Sequence, residues 1–302
     1  MAIEKFQDIV EAVQKMEKKT VIAVVQAQDE HTLDAIVKAK HDGLIQPVLI
    51  GDEAKIREII TAEGADPAEF DIRAAEDEAA ALKIATDLVK AGEANAMMKG
   101  KLQTGDFMRA VVKDDEMKRG GLISLVGFYE MPGYHKLFAV SDMGMNTYPD
   151  LDGKKAILTN AVELMHAMGI EEPKVACLSA VEKLNPKMPD AVDGDALKQQ
   201  NLNGEIKGCI VEGPISFDLA MVDGAAAAKG YESPVAGDAD LLLVPDIVCG
   251  NVLVKCLTEF SGADTAGIMV GARVPLVVTS RSAKASDKYY SIALTAFVGQ
   301  SY

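Results

Sequence analysis

The chain has 302 residues, with 46 acidic and 31 basic side chains and a formal net charge of −15 when histidine is neutral. Hydrophobic residues make up 49% and charged residues 25%, a globular balance that excludes wholesale disorder. So negative a field disfavours nucleic acid and anionic membranes, and 5% aromatics with no Trp leaves little for base stacking. A chain of this length buries roughly three quarters of its unfolded surface, enough for one large core or two ordinary ones. The opening segment mixes acids and bases at helical spacing, unlike a signal peptide, and no run of 18 apolar residues predicts a membrane span. Cys177, Cys209, Cys249 and Cys256 are dispersed and show no metal-ligand spacing, so they are expected to be reduced, buried thiols of a cytoplasmic protein.

Taken in order, Ile3 to Lys18 predicts a helix with Phe6, Ile9, Val10, Val13 and Met16 on one stripe. The β-branched run 20–27 predicts a strand, followed by a helix ending at Gly43, a natural left-handed terminator. Segments 47–51, 71–75 and 95–100 are the next strands, with helices between them, a βαβ pattern that implies a mostly parallel sheet. Runs 122–131 and 136–144 flank Pro132-Gly133-Tyr134-His135, which predicts an antiparallel hairpin. Alternation then resumes with a helix over 152–168, a strand over 174–179, a helix over 190–203 and a strand over 206–213. Strand 240–246, helix 250–261, strand 274–280 and helix 284–298 complete the chain. This is an α/β protein, too long for one usual core, and it divides into two α/β domains with a cleft between them. The expected division is 1–155 plus 272–302 for a discontinuous first domain and 156–271 for the second.

Ligands of open α/β sheets bind beyond the carboxyl ends of strands, beside helix N-termini. Three such places carry unusual polar residues. In the first, a strand ends in Lys99-Gly100-Lys101 and a helix starts near Thr104 with Arg109 one turn inside, a set suited to a phosphate and equally to a solvated basic loop. No Walker A loop is present. In the second, Pro245-Asp246 precedes a helix near Gly250-Asn251, where Asn251 either caps the helix or meets a ligand. Cys249 beside it is a possible nucleophile or a small packed residue. In the third, a strand delivers Ser280 and Arg281, and Asp287 falls in the first turn of the closing helix. That Asp is either a dipole partner or part of a trio that holds a phosphate and removes a proton. Residues 99–119 carry six basic and four acidic side chains, and 273–302 carry four basic and one acidic, so positive charge gathers at two of these loops.

With those residues placed, the chain resembles the phosphate acetyl/butyryl transferase family over nearly its whole length. The resemblance rests on MKGKLQTGDFMRAV, VSDMGMNTYPDL, VEGPISFDLAM, SPVAGDADLLLVPDIVCGNVLVK and SGADTAGIMVGARVPLVVTSRSAKASD. Glu212 stands where the family's third block usually has Asp, and the Met-Lys-Gly and Gly-Pro features look more like the butyryl branch. The resemblance implies a two-domain fold like isocitrate and isopropylmalate dehydrogenases, with the active site between domains, as a homodimer or larger homo-oligomer. It implies the reaction acyl-CoA + phosphate ⇌ acyl phosphate + CoA, with butyryl or another short or branched acyl group, or alternatively acetyl. It further implies Ser280, Arg281 and Asp287 as catalytic residues and Arg109 as a phosphate contact, with Gly105 where the family usually has Ala. Lys99, Gly100, Thr104 and Asn251 complete the expected substrate contacts. A further Arg of the acetyl branch has no clear counterpart, and Arg119, Arg273 and Lys136 are candidates. No metal and no permanently bound cofactor is expected, with coenzyme A as substrate or product. An NAD-dependent decarboxylating dehydrogenase on the same scaffold lacks its Gly-Asp-x-x-Ser-Asp run here. A non-catalytic CoA- or acyl-phosphate-binding paralogue is the remaining alternative.

Overall fold

The structure, a computed structural model, describes residues 3–119, 121–279 and 283–301. Two expected catalytic residues, Ser280 and Arg281, lie outside the described residues. The chain groups into two compact units, one of residues 6–121 with 265–302 and one built on residues 122–264.

The first unit begins with helix α1 (Phe6–Lys15), strand β1 (Thr20–Val25), α2 (Glu30–His41), β2 (Ile45–Gly51) and α3 (Glu53–Ala62). It continues with β3 (Asp71–Ala74), α4 (Glu78–Lys90), β4 (Ala96–Lys99) and α5 (Thr104–Lys113). The buried stripe of α1 is Phe6, Ile9, Val10 and Val13, while Met16 lies past the helix end. Three aspartates start the next helices because their carboxylates accept amides the helix itself leaves unbonded. Asp29 accepts from Thr32 N at 2.9 Å, Asp52 from Lys55 N at 3.2 Å and Asp77 from Ala80 N at 2.7 Å. Gly43, at φ +72°, follows the last residues of α2 as expected. In β1, Ile22 to Val25 are fully buried, which is why the strand reads as a continuous apolar run rather than an alternating one.

The second unit holds β5 (Ser124–Glu130), β6 (Phe138–Ser141), α6 (Leu151–Ala167), β7 (Lys174–Leu178) and α7 (Pro189–Leu202). Next come β8 (Ile210–Ile215), the short helices α8 (Phe217–Met221) and α9 (Ala225–Lys229), β9 (Leu241–Leu243) and α10 (Ile247–Phe260). Its strands lie in the order β5-β6-β9-β7-β8, antiparallel between β5 and β6 and parallel elsewhere. The hairpin is the expected one, closed by Tyr134 N to Met131 O at 3.1 Å and packed through Tyr129 and Phe138. Because β6 pairs with β9, the hairpin belongs with the 122–264 unit, whereas the sequence reading placed it with the first domain.

The chain then returns to the first unit through β10 (Asp264–Val270), β11 (Leu276–Val277) and α11 (Ala285–Val298). Strand order in this unit is β3-β2-β1-β4-β11-β10, parallel except for β10 against β11. Helix α11 packs on α1, where Phe6 stacks on Tyr290 at 4.8 Å.

Among the elements that differ from the sequence reading, which include α8 and α9, three show a local reason. Strand β8 starts at Ile210 rather than 206, because the Asn201 side chain donates to the carbonyls of Ile206 and Cys209 and holds that stretch as a loop. Strand β10 was not expected; Gly267 breaks its pattern, and Gly267 N is instead held by Ser291 Oγ of α11 at 3.0 Å. Helix α10 starts at Ile247 because Asp246 accepts Cys249 N at 2.9 Å. Cys177 and Cys209 are buried as expected, but Cys249 and Cys256 are exposed. Among the described residues, no helix is long and apolar enough to cross a membrane.

Candidate active site

Strands β1 and β4 run side by side with Val25 opposite Lys99, and β11 flanks β4 with Val277 opposite Met98. A pocket of about 600 Å³ opens where these strands end, lined by Asp29 after β1, Lys99 at the end of β4 and Thr279 beyond β11. His31, Thr32, Glu78, Lys101, Gln103 and Lys288 also face it. An adjoining hollow of about 640 Å³ shares Asp29, His31 and Lys101 with the first.

Lys99 is buried, and its ammonium donates to the carbonyls of Gly100 and Leu102, each at 3.1 Å. It therefore shapes the loop that forms the pocket wall. Gly100 lines the pocket, but the space a side chain would need belongs to the backbone of β1. A Cβ there would stand 2.2 Å from Gln26 O and 2.8 Å from Val25 O. The residue's smallness thus serves the junction of β1 and β4, and the chain hugs that edge through Gly100 N to Val25 O at 2.8 Å.

Thr104 is the exposed first residue of α5. Arg109 is exposed and bound to Asp106 at 2.6 Å, one turn back on the same helix, and does not line the pocket. Asp287 is 8% exposed at the third position of α11, where its Oδ2 reaches back to accept Lys284 N at 3.1 Å. Its neighbour Lys288 faces the pocket. Asn251 sits exposed within α10, in the other unit, and the cap of that helix is Asp246. Of the candidates for the further cation, Lys136 is engaged with Asp238 and Asp240 at 2.8 and 2.6 Å. Arg273 is exposed with its guanidinium on Glu116 O at 3.3 Å, and Arg119 is exposed with its amide on Gly271 O at 3.4 Å.

The sequence reading missed Asp29, Thr32 and Lys288. The signal for the first two was legible: an Asp-x-x-Thr helix start directly after an apolar strand. Burial alone would push the Asp29 carboxyl up, but the Thr32 hydroxyl and amide, with Lys288 and His31 nearby, hold it below the ordinary carboxylate value. Lys288 gave no such signal, since a lysine in a first helical turn reads as solvated surface. In the second unit, Glu212 is buried and ion-paired with Lys198 at 2.6 Å. Its carboxylate also accepts Gly213 N at 3.1 Å.

The profile of the phosphate acetyl/butaryl transferase family matches residues 72–296, a span that holds all the expected site residues from Lys99 to Asp287. The chain belongs to this family. It is 41% identical to a phosphate butyryltransferase of Clostridium acetobutylicum over 298 residues, 98% of each chain. It is 38% identical to a phosphate acetyltransferase of Thermotoga maritima over 255 residues, 83% of this chain and 85% of the other. Among solved structures, a branched-chain phosphotransacylase from Enterococcus faecalis V583 superposes with a TM-score of 0.82 at 31% identity, covering 93% of this chain and 99% of that one. A 4-hydroxythreonine-4-phosphate dehydrogenase from Salmonella typhimurium shares the fold alone, with a TM-score of 0.56 at 16% identity over 93% of this chain and 100% of that one. The dehydrogenase-like fold expected from the sequence is thus the observed one, and the protein is a phosphate acyltransferase.

Proposed function

We propose that this phosphate acyltransferase interconverts acyl-CoA and phosphate with acyl phosphate and CoA, with a butyryl or other short or branched acyl group. Acetyl is the alternative substrate, in keeping with relatives that carry either name. The observation that carries the reading is a polar pocket at the strand ends, walled by the Lys99–Leu102 loop and the start of α11, in a chain that matches a phosphate butyryltransferase over 98% of its length.

In the direction that forms acyl-CoA from acyl phosphate, the CoA thiol must lose its proton, and a thiol of this kind has a pKa of about 8.5. Asp287 takes that proton, and the thiolate attacks the acyl carbonyl carbon. The carbonyl electron pair moves to oxygen and returns as the C–O bond to phosphate breaks, so inorganic phosphate leaves with that pair. Ser280 donates a hydrogen bond to the developing charge and Arg281 neutralises it, roles that rest on the sequence match. One donor of this kind is worth about 3–4 kcal/mol in the barrier. Lys99 and the Gly100–Thr104 loop hold the phosphate end, and Arg109 joins them by exchanging Asp106 for the anion.

The reading also includes a cytoplasmic protein that binds no permanent cofactor and uses CoA as a diffusing substrate. It includes a homodimer or larger homo-oligomer, supported by an exposed row on α10. Val248, Val252 and Phe260 are 53, 58 and 88% exposed and fall at i, i+4 and i+12, on one four-residue ridge of the kind by which one helix packs on another. The deciding assay is phosphate-dependent thiol release from acetyl-, butyryl- and branched acyl-CoA. Release is expected with all three, fastest by kcat/KM with butyryl or branched substrate. Inactivity toward every one overturns the reading.

A further inference from the structure

Lys288 is 4% exposed and lines the 600 Å³ pocket. It is the fourth residue of α11, and its own amide bonds back to Lys284 O at 3.3 Å. Among the described residues, its ammonium makes no hydrogen bond and no ion pair within 4 Å. A buried cation without a partner is among the most unfavourable groups a fold can carry. Its place in a helix's first turn adds to the cost, because the positive end of the helix dipole repels it. Asp29 is near enough to feel its charge, yet the Asp29 carboxylate spends its hydrogen bonds on Thr32, at 2.7 Å to the hydroxyl and 2.9 Å to the amide. Among the described residues, the ammonium therefore faces a polar cavity with its hydrogen-bonding capacity unspent. Lys99, 8% exposed on β4, reaches the same cavity from another element. Two buried cations fixed by different elements make a preformed seat for an oxyanion.

We propose that Lys288 is the anchoring cation of a phosphate-binding subsite in this pocket, with Lys99 as the second cation of the seat. The assignment rests on the acyltransferase reading for its ligand class. The phosphate is either that of the inorganic and acyl phosphates or a phosphoryl group of CoA, and the test separates the two.

The test compares the wild type, Lys288→Met and Lys288→Arg by calorimetric titration with inorganic phosphate and, separately, with CoA. KM and kcat for each substrate are measured alongside. Lys288→Met is expected to weaken inorganic phosphate at least tenfold, in both affinity and KM, while CoA affinity stays within twofold. Lys288→Arg is expected to restore part of the loss. A loss confined to CoA keeps Lys288 as the anchor and assigns the seat to the CoA phosphoryl group. Unchanged affinity for both ligands overturns the proposal. The Met variant is also expected to melt no lower than the wild type without ligand; a lower melting temperature means the ammonium serves the fold, and this too overturns the proposal. Titration with phosphate alone needs no turnover, so a wild type that binds phosphate but releases no thiol fails the acyltransferase reading without touching the subsite.

Discussion

Asp287 carries two roles that different substitutions separate. Its carboxylate accepts the Lys284 amide, a capping contact that an amide oxygen also makes, but only the carboxylate takes a proton. Asp287→Asn is therefore expected to keep the melting temperature within a few degrees while kcat for thiol acylation falls about 10²–10³-fold. Asp287→Ala loses both roles and about 1 kcal/mol of stability besides, read from a denaturant melt. Normal turnover in the Asn variant would reduce Asp287 to a cap. The cysteines offer a second residue-scale prediction. Burial pushes the Cys177 thiol up to about 12 and Cys209 up to about 11, while Cys249 and Cys256 are exposed. A disulfide reagent at pH 8 is expected to titrate two thiols in the native protein and four after denaturation, because thiolate and access are both required. Rapid loss of Cys177 in the folded protein would contradict its burial. Read residue by residue, Lys99 and Gly100 were legible as pocket residues because a Lys-Gly-Lys strand end is rare. Arg109 was legible as a cation, but not its partner: Asp106, one turn back on the helix, holds it.

At the scale of elements, sequence periodicity found the β1-α2-β2 and β4-α5 units because burial on both faces leaves unbroken apolar runs that capping aspartates punctuate. It failed at β10, where Gly267 is held by Ser291, a contact that exists only once α11 has docked. It misplaced the start of β8 for the same kind of reason, since Asn201 on α7 claims two carbonyls of the preceding loop. Helix α10 was found, but its outward face was not read as special. Val252 sits in the middle of the exposed row, with Val254 and Leu257 turned into the core behind it. Val252→Glu is expected to shift sedimentation toward a single chain without lowering the melting temperature by more than a few degrees. Identical sedimentation of variant and wild type would remove this row from the interface.

For the whole molecule, each of the two units contributes its own group of strands, and Tyr129, Phe138, Leu242, Val254 and Leu257 join in one buried cluster of the second. Because all but the first five residues of that unit form one continuous stretch, residues 122–264 alone are expected to give an α/β circular dichroism spectrum and a cooperative thermal transition. A non-cooperative melt would mean that its core depends on the rest of the chain. The net charge of −15 also takes a different meaning at this scale. Much of the basic charge in the 99–119 stretch is answered locally: Arg109 by Asp106, Lys118 by Asp115 at 2.8 Å. Among the described residues, the lysines that face the pocket are Lys99, Lys101 and Lys288, against the carboxylates of Asp29 and Glu78.

The sequence by itself determined the alternating α/β order, the hairpin, the family and the pairing of a basic strand end with the start of the last helix. These are local patterns of hydrophobicity, capping and spacing, written within a few residues of where they act. Only the tertiary structure decided which strand ends meet, and with them that Asp29 and Lys288 face one pocket with Lys99. Those residues are separated by 70 positions or more in the chain. Their neighbourhood is set by strand order in the sheet, a property of non-local pairing that no window of sequence carries.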